Sequence, residues 1–165
     1  MMSSKHKTEK YISFEEFINH TGLKESTIRR MYKNIPGIQK TSNGFAILSG
    51  TRYPFNMRGY KIKNSNDRRY ILLKAISQYK YISHLDIRLE SAQFCDMLRE
   101  LLSAGLIKKN NLYNNYGANA YDCTLKGEEV LKQTRTKSRQ EILNMVSTAA
   151  GKFTGAIISE IYNAS

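Results

Sequence analysis

The stretch that most constrains the fold is residues 13–33, which has the pattern of two short helices joined by a tight turn. Ser13 and Glu16 stand at the spacing of a capping box, in which a hydroxyl and a carboxylate accept hydrogen bonds from the unpaired amides of a helix start. Apolar side chains at helical spacing follow the cap: Phe14, Phe17 and Ile18. Gly22 then ends the first helix, because glycine accommodates the positive φ of a helix-ending turn.

The second helix begins near Lys24 or Glu25 and has a cationic outer face. Its apolar residues Leu23, Ile28 and Met31 are expected to face the first helix. The outward side chains are Ser26, Thr27, Arg29, Arg30 and Lys33. A solvated basic helix is the plain interpretation of this face. Hydroxyls and cations together are also what a helix needs to contact phosphates and base edges in a DNA groove, and we favour that interpretation.

The charge of the whole chain agrees with a polyanionic partner. Lysine and arginine exceed the acids by 12, and the pI is about 9.7. The excess is +8 over residues 1–66, +3 over residues 67–135 and +1 over residues 136–165. Such a field attracts nucleic acid more commonly than membrane for a soluble chain, so double-stranded DNA is the expected partner.

A β-hairpin follows the two helices. Asn43-Gly44 is the strongest short hairpin signal, and residues 45–48 have strand composition. Residues 60–63 alternate polar and apolar side chains, which predicts a further, exposed strand. Two helices followed by a hairpin is the order of a winged helix-turn-helix, predicted here for residues 11–64. Lys40, Asn43 and Arg52 are placed on or near the wing, where they would meet phosphates or the minor groove.

Residues 65–135 repeat this architecture without a sequence repeat. Asn64 to Asp67 form a polar linker and a helix cap. A helix over 67–78, a strand over 81–83 and a helix or turn over 84–89 follow. A strong helix capped by Ser91 runs to Ala104, and strands over 106–109 and 121–124 lead to a helix capped by Thr124. The predicted fold class is therefore mainly α with small antiparallel β wings (α+β): two winged helix-turn-helix modules in tandem plus a C-terminal helix.

The second module carries acids on its expected reading helix. Asp96 and Glu100 point outward beside Gln93 and Arg99, and carboxylates are repelled by phosphates. Two alternatives stay open: the module is a structural partner for the first, or it contacts DNA mainly through its wing. The wing residues would be Lys108, Lys109, Asn114, Asn115 and Tyr116.

The C-terminal segment, residues 136–165, is predicted to be a helix that starts with a capping box from Ser138 to Glu141. Its apolar residues share one face: Ile142, Val146, Ala149, Phe153, Ile157 and Ile161. Gly151 and Gly155 are spaced for close helix approach. The helix is expected either to pack on its own second module or to form a homodimer.

No feature indicates an enzyme, a cofactor or a metal. Cys95 and Cys123 lack zinc-ligand spacing and are interpreted as reduced thiols of a cytoplasmic protein. The sequence has no glycine-rich phosphate loop, no nucleophile elbow and no apolar run long enough for a membrane span. Residues 1–10 are charged and are interpreted as a flexible basic arm.

Two stretches carry a family resemblance. S-F-E-E-F-I-N-H-T-G-L-K-E-S-T-I-R-R-M-Y resembles the helix-turn-helix of MerR-type regulators and excisionases, over residues 11 to about 60. L-R-E-L-L-S-A-G-L-I-K-K with A-Y-D-C-T-L-K-G-E-E-V-L resembles the recognition helix, wing and closing helix of MarR- and PadR-like domains, over about 70–131. Small basic tandem proteins of this kind resemble accessory DNA-binding proteins of mobile elements, including Gram-positive conjugative plasmids.

These observations predict a non-enzymatic, sequence-specific DNA-binding protein. It would act as a transcriptional regulator or as an accessory factor at the transfer or origin region of a plasmid or mobile element, with other proteins of that element as further partners. Phosphate contacts are expected from Lys24, Arg29, Arg30, Lys33 and Lys40. The alternatives are a protein-interaction adaptor that uses winged-helix surfaces, and a plasmid replication initiator.

Overall fold

The computed structural model is an α+β fold, with six α-helices and three small sheets in the part of the chain that it describes. It describes residues 10–110 and 117–163, of which His20 and residues 152–163 are described by their backbone alone. Two of the sheets are antiparallel. The predicted fold class is confirmed at this level, as helices with small β-hairpins. The predicted arm over residues 1–10 lies outside the described residues, except for Lys10.

The first region, residues 10–54, consists of two helices packed on a three-stranded sheet. Its elements are β1 (Tyr11–Ile12), α1 (Phe14–Thr21), α2 (Glu25–Met31), a 3-10 turn (Tyr32–Asn34), β2 (Ile38–Thr41), β3 (Gly44–Leu48) and β4 (Tyr53–Pro54). The sheet has the antiparallel order β1-β3-β2. Thr41 pairs with Gly44, so the hairpin turn predicted from Asn43-Gly44 is present.

The predicted helix caps of the first region are confirmed. The Ser13 hydroxyl accepts a hydrogen bond from the backbone N–H of Glu16 at 3.0 Å. Gly22 has φ of 66° and its N–H donates to the carbonyl of Ile18 at 2.8 Å. Five buried apolar side chains form the core of this region: Phe17, Ile28, Ile35, Ile38 and Ile47.

The second region, residues 55–163, is built around helices. Its elements are α3 (Ser65–Ser77), β5 (Lys80–Tyr81), α4 (Ser91–Ser103), β6 (Ile107–Lys109), a 3-10 turn (Gly117–Ala120), β7 (Tyr121–Cys123), α5 (Leu125–Leu131) and α6 (Arg135–Asn163). Asn64 caps α3 by accepting from Asp67 N–H at 3.1 Å, and Thr124 caps α5 by accepting from Gly127 N–H at 3.1 Å. Both predicted caps are thus confirmed.

Three local predictions in the second region are wrong. Residues 60–63 form no strand, because the alternating side chains of this segment lie on the second core instead of in a sheet. Glu90 rather than Ser91 precedes the first turn of α4, and its N–H donates to Gln93 Oε1 at 3.2 Å. Helix α6 begins at Arg135, ahead of Ser138, whose buried hydroxyl donates to the Val130 carbonyl at 2.6 Å.

The core of the second region contains four times as many buried apolar residues as the first. Twenty such side chains form it among the described residues, drawn from α3 to α6 and the β6–β7 hairpin. Ile142 and Val146 place the first half of α6 in this core, so that half packs on its own region. Gly127 is required here, because a Cβ would overlap the Leu106 carbonyl oxygen.

A parallel pair of short strands joins the two regions. Tyr53 of β4 pairs with Lys80 of β5, and Pro54 pairs with Tyr81. Proline is tolerated because a two-stranded sheet leaves each strand with one unpaired edge. The change from the first core to the second falls between Tyr53 and Phe55, ahead of the polar stretch at Asn64. Within the described part of the chain, no helix is long and apolar enough to cross a membrane.

Candidate nucleic-acid interface

Helix α2 presents a face of cations and hydroxyls. Ile28 is fully buried in the first core and fixes which side of the helix faces inward. The predicted contact residues on the other sides are exposed, apart from the half-buried Thr27: Lys24, Ser26, Arg29, Arg30 and Lys33. Neither Arg30 nor Lys33 forms an ion pair within the described residues, so both cations are available to a phosphate.

Arg29 differs from its neighbour because its guanidinium is already held. Its Nε lies 2.7 Å from Glu25 Oε1 one turn earlier on α2. Its guanidinium carbon lies 5.5 Å from the ring centroid of Phe14 and 5.6 Å from that of Phe45, within cation–π range. The two rings stack on each other with centroids 5.4 Å apart. Arg29 therefore connects α2 to α1 and to β3 while keeping its outer edge in solvent.

The β2–β3 hairpin adds two predicted contact residues. Lys40 and Asn43 are exposed, the first on β2 and the second in the turn. Lys40 pairs in register with Phe45, the residue whose ring lies against Arg29. The hairpin and α2 are thus linked through one aromatic side chain, and their cations belong to the same rigid unit.

Arg52 does not belong to this surface, and its prediction as a wing contact is wrong. It is only 3% exposed and lies where the two regions meet. Its Nη2 donates to the Tyr121 carbonyl at 2.7 Å and to Asp122 Oδ1 at 3.0 Å, and its guanidinium carbon lies 5.4 Å from the Tyr79 ring. Burial lowers the pKa of Arg52, and the Asp122 carboxylate opposes that shift. The residue is a structural link between the regions.

The acids of α4 are neutralised by nearby cations. Glu100 accepts from Arg69 of α3 at 2.8 Å, and Asp96 pairs with Arg99 on the same helix at 2.7 Å. This helix therefore presents paired charges where α2 presents unpaired cations. Its apolar residues Phe94, Met97, Leu98 and Leu101 are buried.

The wing of the second region is described only in part. Lys108 and Lys109 are exposed on β6, as a phosphate contact requires. Asn114, Asn115 and Tyr116 lie outside the described residues. The two described lysines are separated in the fold from α2, because they belong to the hairpin that packs on α3, α4 and α5.

A cleft between the two regions lacks charged walls. It has a volume of about 620 Å³ and is lined by both regions, with Pro36, Ser49, Phe94 and Asn119 among its residues. The imidazole ring of His84 also lines the cleft, and its Nδ1 atom lies 3.0 Å from the carbonyl oxygen of Leu89. The lining contains no lysine, arginine or carboxylate among the described residues, so the cleft does not extend the cationic surface.

The described residues offer no candidate metal site. They contain no cluster of three or more histidine, cysteine or acidic side chains that could hold a metal ion. Both cysteines are free, Cys95 on α4 and Cys123 on β7, as predicted. Burial, with Glu128 nearby, raises the pKa of the Cys123 thiol to about 12, so this thiol is protonated at neutral pH.

Sequence reasoning missed one group of exposed cations. Arg58, Lys61 and Lys63 lie on the irregular segment 55–63, for whose end the sequence predicts a strand. The alternation of apolar and polar residues was a usable signal, because it gives one buried side and one exposed side whether or not a strand forms.

Comparison with known proteins adds no assignment: no protein-family model, no curated protein and no solved structure matches this chain.

Proposed function

We propose that this chain is a non-enzymatic, sequence-specific double-stranded DNA-binding protein. The observation that carries the proposal is the face formed by α2 and its flanking residues. On it Lys24, Arg30 and Lys33 are exposed without an ion-pair partner in the described residues, together with the hydroxyls of Ser26 and Thr27. Cations supply affinity for phosphates, and short hydroxyl side chains can hydrogen-bond to base edges.

The arrangement of the first region supports a winged helix-turn-helix as the reading unit. Helices α1 and α2 are joined by the turn at Gly22, and the β2–β3 hairpin of the β1-β3-β2 sheet would be the wing. In this proposal α2 lies in the major groove, while Lys40 and Asn43 of the wing meet the neighbouring backbone or minor groove.

The two arginines of α2, Arg29 and Arg30, have different roles in this proposal. Arg30 and Lys33 contact phosphates, and Arg30 also reaches base edges beside Ser26 and Thr27. Arg29, with its guanidinium on Glu25 and the two phenylalanine rings, orients α2 and offers its outer edge to a phosphate. The second region is a further winged-helix module that contributes Lys108 and Lys109 and supports the first.

For the biological role we propose a transcriptional regulator or an accessory factor of a plasmid or other mobile element, acting in the cytoplasm. A homodimer through the C-terminal part of α6 and contacts with other proteins of the same element belong to this proposal. Twofold pairing of two copies would match a palindromic target.

The test is a mobility shift of the full-length chain on DNA that flanks its own gene, with competitor DNA and a salt series. We expect binding that survives competitor and weakens steeply with salt, by about 0.9 log unit of affinity per log unit of salt for each phosphate neutralised. Lys33→Ala should flatten the slope by about 1 without altering sequence preference. Ser26→Ala with Thr27→Ala should leave the slope unchanged and reduce discrimination between target and random DNA.

Lys132→Ala is the matched control, because this lysine is exposed but lies at the end of α5, away from α2. It should change the affinity little. The absence of any shift near physiological salt would contradict the proposal and would favour the adaptor interpretation. Footprinting on the same DNA then locates the target.

A further inference from the structure

The irregular segment 55–63 carries a second cationic surface. Its apolar side chains pack on the second core: Phe55, Met57, Tyr60 and Ile62. Between them, Arg58, Lys61 and Lys63 are exposed. The segment therefore holds three cations outward on a backbone that is fixed by its buried side.

The start of α6 fastens this segment. The guanidinium carbon of Arg135 lies 4.7 Å from the ring centroid of Tyr60, and its Nη1 donates to the Gly59 carbonyl at 3.3 Å. The same guanidinium lies 5.6 Å from the Tyr70 ring of α3. Because α6 and α3 both belong to the second core, the segment is held as part of the second region.

Asp67 ties the other end of the segment to α6. Its Oδ2 accepts from the Lys63 N–H at 2.9 Å, and its Oδ1 pairs with Arg139 of α6. The exposed cations of the segment form the surface that we name the basic segment surface: Arg58, Lys61 and Lys63.

The cations of this surface have no ion-pair partner within the described residues. Asp67 is only 1% exposed and is engaged by Arg139. The sequence has no acidic residue between Glu25 and Asp67. Glu141, the next acid along α6, accepts a hydrogen bond from Gln133. Fixed cations without acidic neighbours bind a polyanion at a lower conformational cost than cations on a mobile tail, because the backbone is already ordered.

We propose that the basic segment surface binds the phosphate backbone of double-stranded DNA on a stretch outside the one read by α2. This inference rests on the proposed function. The segment that carries this surface packs on the second core, whereas α2 packs on the first. The proposal therefore assigns the two surfaces to separate stretches of one duplex. Its cations lie on an irregular segment and not on a helix or hairpin that could enter a groove, so it positions the protein without reading bases. A lipid surface fits poorly, because the apolar side chains of the segment face the core and leave nothing to insert.

The experiment compares two charge-matched double variants on two lengths of duplex. Lys61→Gln with Lys63→Gln removes two charges from the surface. Arg88→Gln with Lys126→Gln removes two exposed charges elsewhere in the second region. The salt dependence of affinity of the full-length proteins is measured on a duplex extended well beyond the footprint of α2 and on one trimmed to it.

On the long duplex we expect the slope of the Lys61/Lys63 variant to fall by about 2, at about 0.9 for each phosphate that is no longer neutralised, and that of the control to stay at the parent value. On the trimmed duplex all three proteins should share one slope. Preference for target over random DNA should be the same for parent and variant at matched salt. Arg58→Gln should lower the long-duplex slope by about 1 and tests the third cation of the surface separately.

Each contrary result has a distinct meaning. Failure of the parent to bind any duplex overturns the proposed function and this inference together. If the parent binds with a steep slope and the Lys61/Lys63 and Arg58 variants match it on the long duplex, this inference alone is overturned. An equal reduction of slope on both duplexes places these lysines within the α2 footprint and overturns the separate stretch. Circular dichroism melting of each variant excludes unfolding as the cause.

Discussion

The two regions of this chain differ in the size of their apolar cores, and the region with the smaller core has the helix with the more cationic surface. The first region has five buried apolar side chains, whereas the second has twenty among the described residues. Helix α2 of the small core and its flanking residues carry Lys24, Arg30 and Lys33, which have no ion-pair partner within the described residues. The acids Asp96 and Glu100 on α4 of the large core are paired with arginines. The region with the smaller apolar core therefore carries the cationic face of α2.

Under the proposed function, this difference assigns most of the stability to the second region and DNA recognition to the first. A domain of fewer than about 50 residues buries too little apolar surface to be more than marginally stable alone. The first region is docked on the second through the β4–β5 pair and the Arg52 contacts. We therefore expect the second region to supply most of the free energy of unfolding and the first to depend on it.

The largest expected effect comes from matched deletions in the two cores. Leu101 and Ile28 are both fully buried, one in each core. Leu101→Ala and Ile28→Ala should each cost about 2–5 kcal/mol, because each substitution removes buried apolar surface and creates a cavity. In urea, Leu101→Ala should lower the unfolding midpoint of both regions, whereas Ile28→Ala should leave α3 to α6 folded. Hydrogen exchange resolved by segment measures this. If Ile28→Ala exposes the amides of α3 and α4 as well, the two cores are one cooperative unit and the division fails.

Arg52→Met should separate the regions at a smaller cost. The substitution keeps an apolar stem but leaves the carbonyl of Tyr121 and the carboxylate of Asp122 without their donor, at about 1–3 kcal/mol. Amides of the first region should then exchange faster while those of α3 keep their protection. Arg58→Met, at an exposed position nearby in sequence, is the control and should stay within about 0.5 kcal/mol of the parent. Equal protection of both regions in the Arg52 variant would show that β4 and β5 suffice for docking.

Asp67→Asn tests how the stability of the second region depends on pH. Burial alone would raise the pKa of Asp67, but hydrogen bonds from the Lys63 N–H and from Arg139 outweigh it and hold the pKa below its ordinary value. A carboxyl whose pKa is depressed in the folded state contributes stability above its unfolded pKa, and this contribution is lost as pH falls through the folded pKa. The variant should be less stable than the parent by roughly 1–2 kcal/mol at neutral pH, with the gap closing as the pH falls below the unfolded pKa of this carboxyl and through its depressed folded pKa. Urea midpoints over a pH series test this, and a gap that persists in strong acid would assign the effect to packing.

Gly151→Ala gives the smallest effect and the opposite sign. Gly151 lies within α6, is exposed, and has open space where a Cβ would be added. Alanine should therefore stabilise the second region by about 0.5–1 kcal/mol through helix propensity. Thermal melting measures the gain, and light scattering on the same sample measures self-association. Weaker self-association in the variant would indicate that two copies approach closely at this glycine, as the predicted homodimer helix requires.

Sequence was sufficient where the determining partners lie a few residues apart. The caps at Ser13 and Thr124 and the turn at Asn43-Gly44 each depend on atoms within three residues, and all three are present. The exposed face of α2 followed from helical period alone, since Ile28 fixes the buried side. These are the features that make the candidate site predictable from one sequence.

Sequence failed where the partners are distant. Arg52 resembles any exposed cation after a strand, and its carbonyl and carboxylate partners come 69 and 70 residues later. The neutralisation of Glu100 depends on Arg69, 31 residues away, and the engagement of Arg29 depends on a ring of β3. The predicted cap at Ser138 failed because the end of α5 offered its hydroxyl a carbonyl partner. Each of these contacts is set by how elements pack, which local patterns do not encode.

The docking of Arg52 also sets an order of events during synthesis. The chain is made from its N-terminus, so the first region can close its sheet once β3 has been made, because all of its pairs are local. The parallel partner of β4 arrives with Lys80 and Tyr81, and the acceptors of the Arg52 guanidinium arrive only with Tyr121 and Asp122. Contacts of such long sequence separation form late, because the intervening chain must first be ordered. A nascent chain that ends before residue 121 would therefore lack the acceptors of the Arg52 guanidinium, and its first region would be docked through β4 and β5 alone.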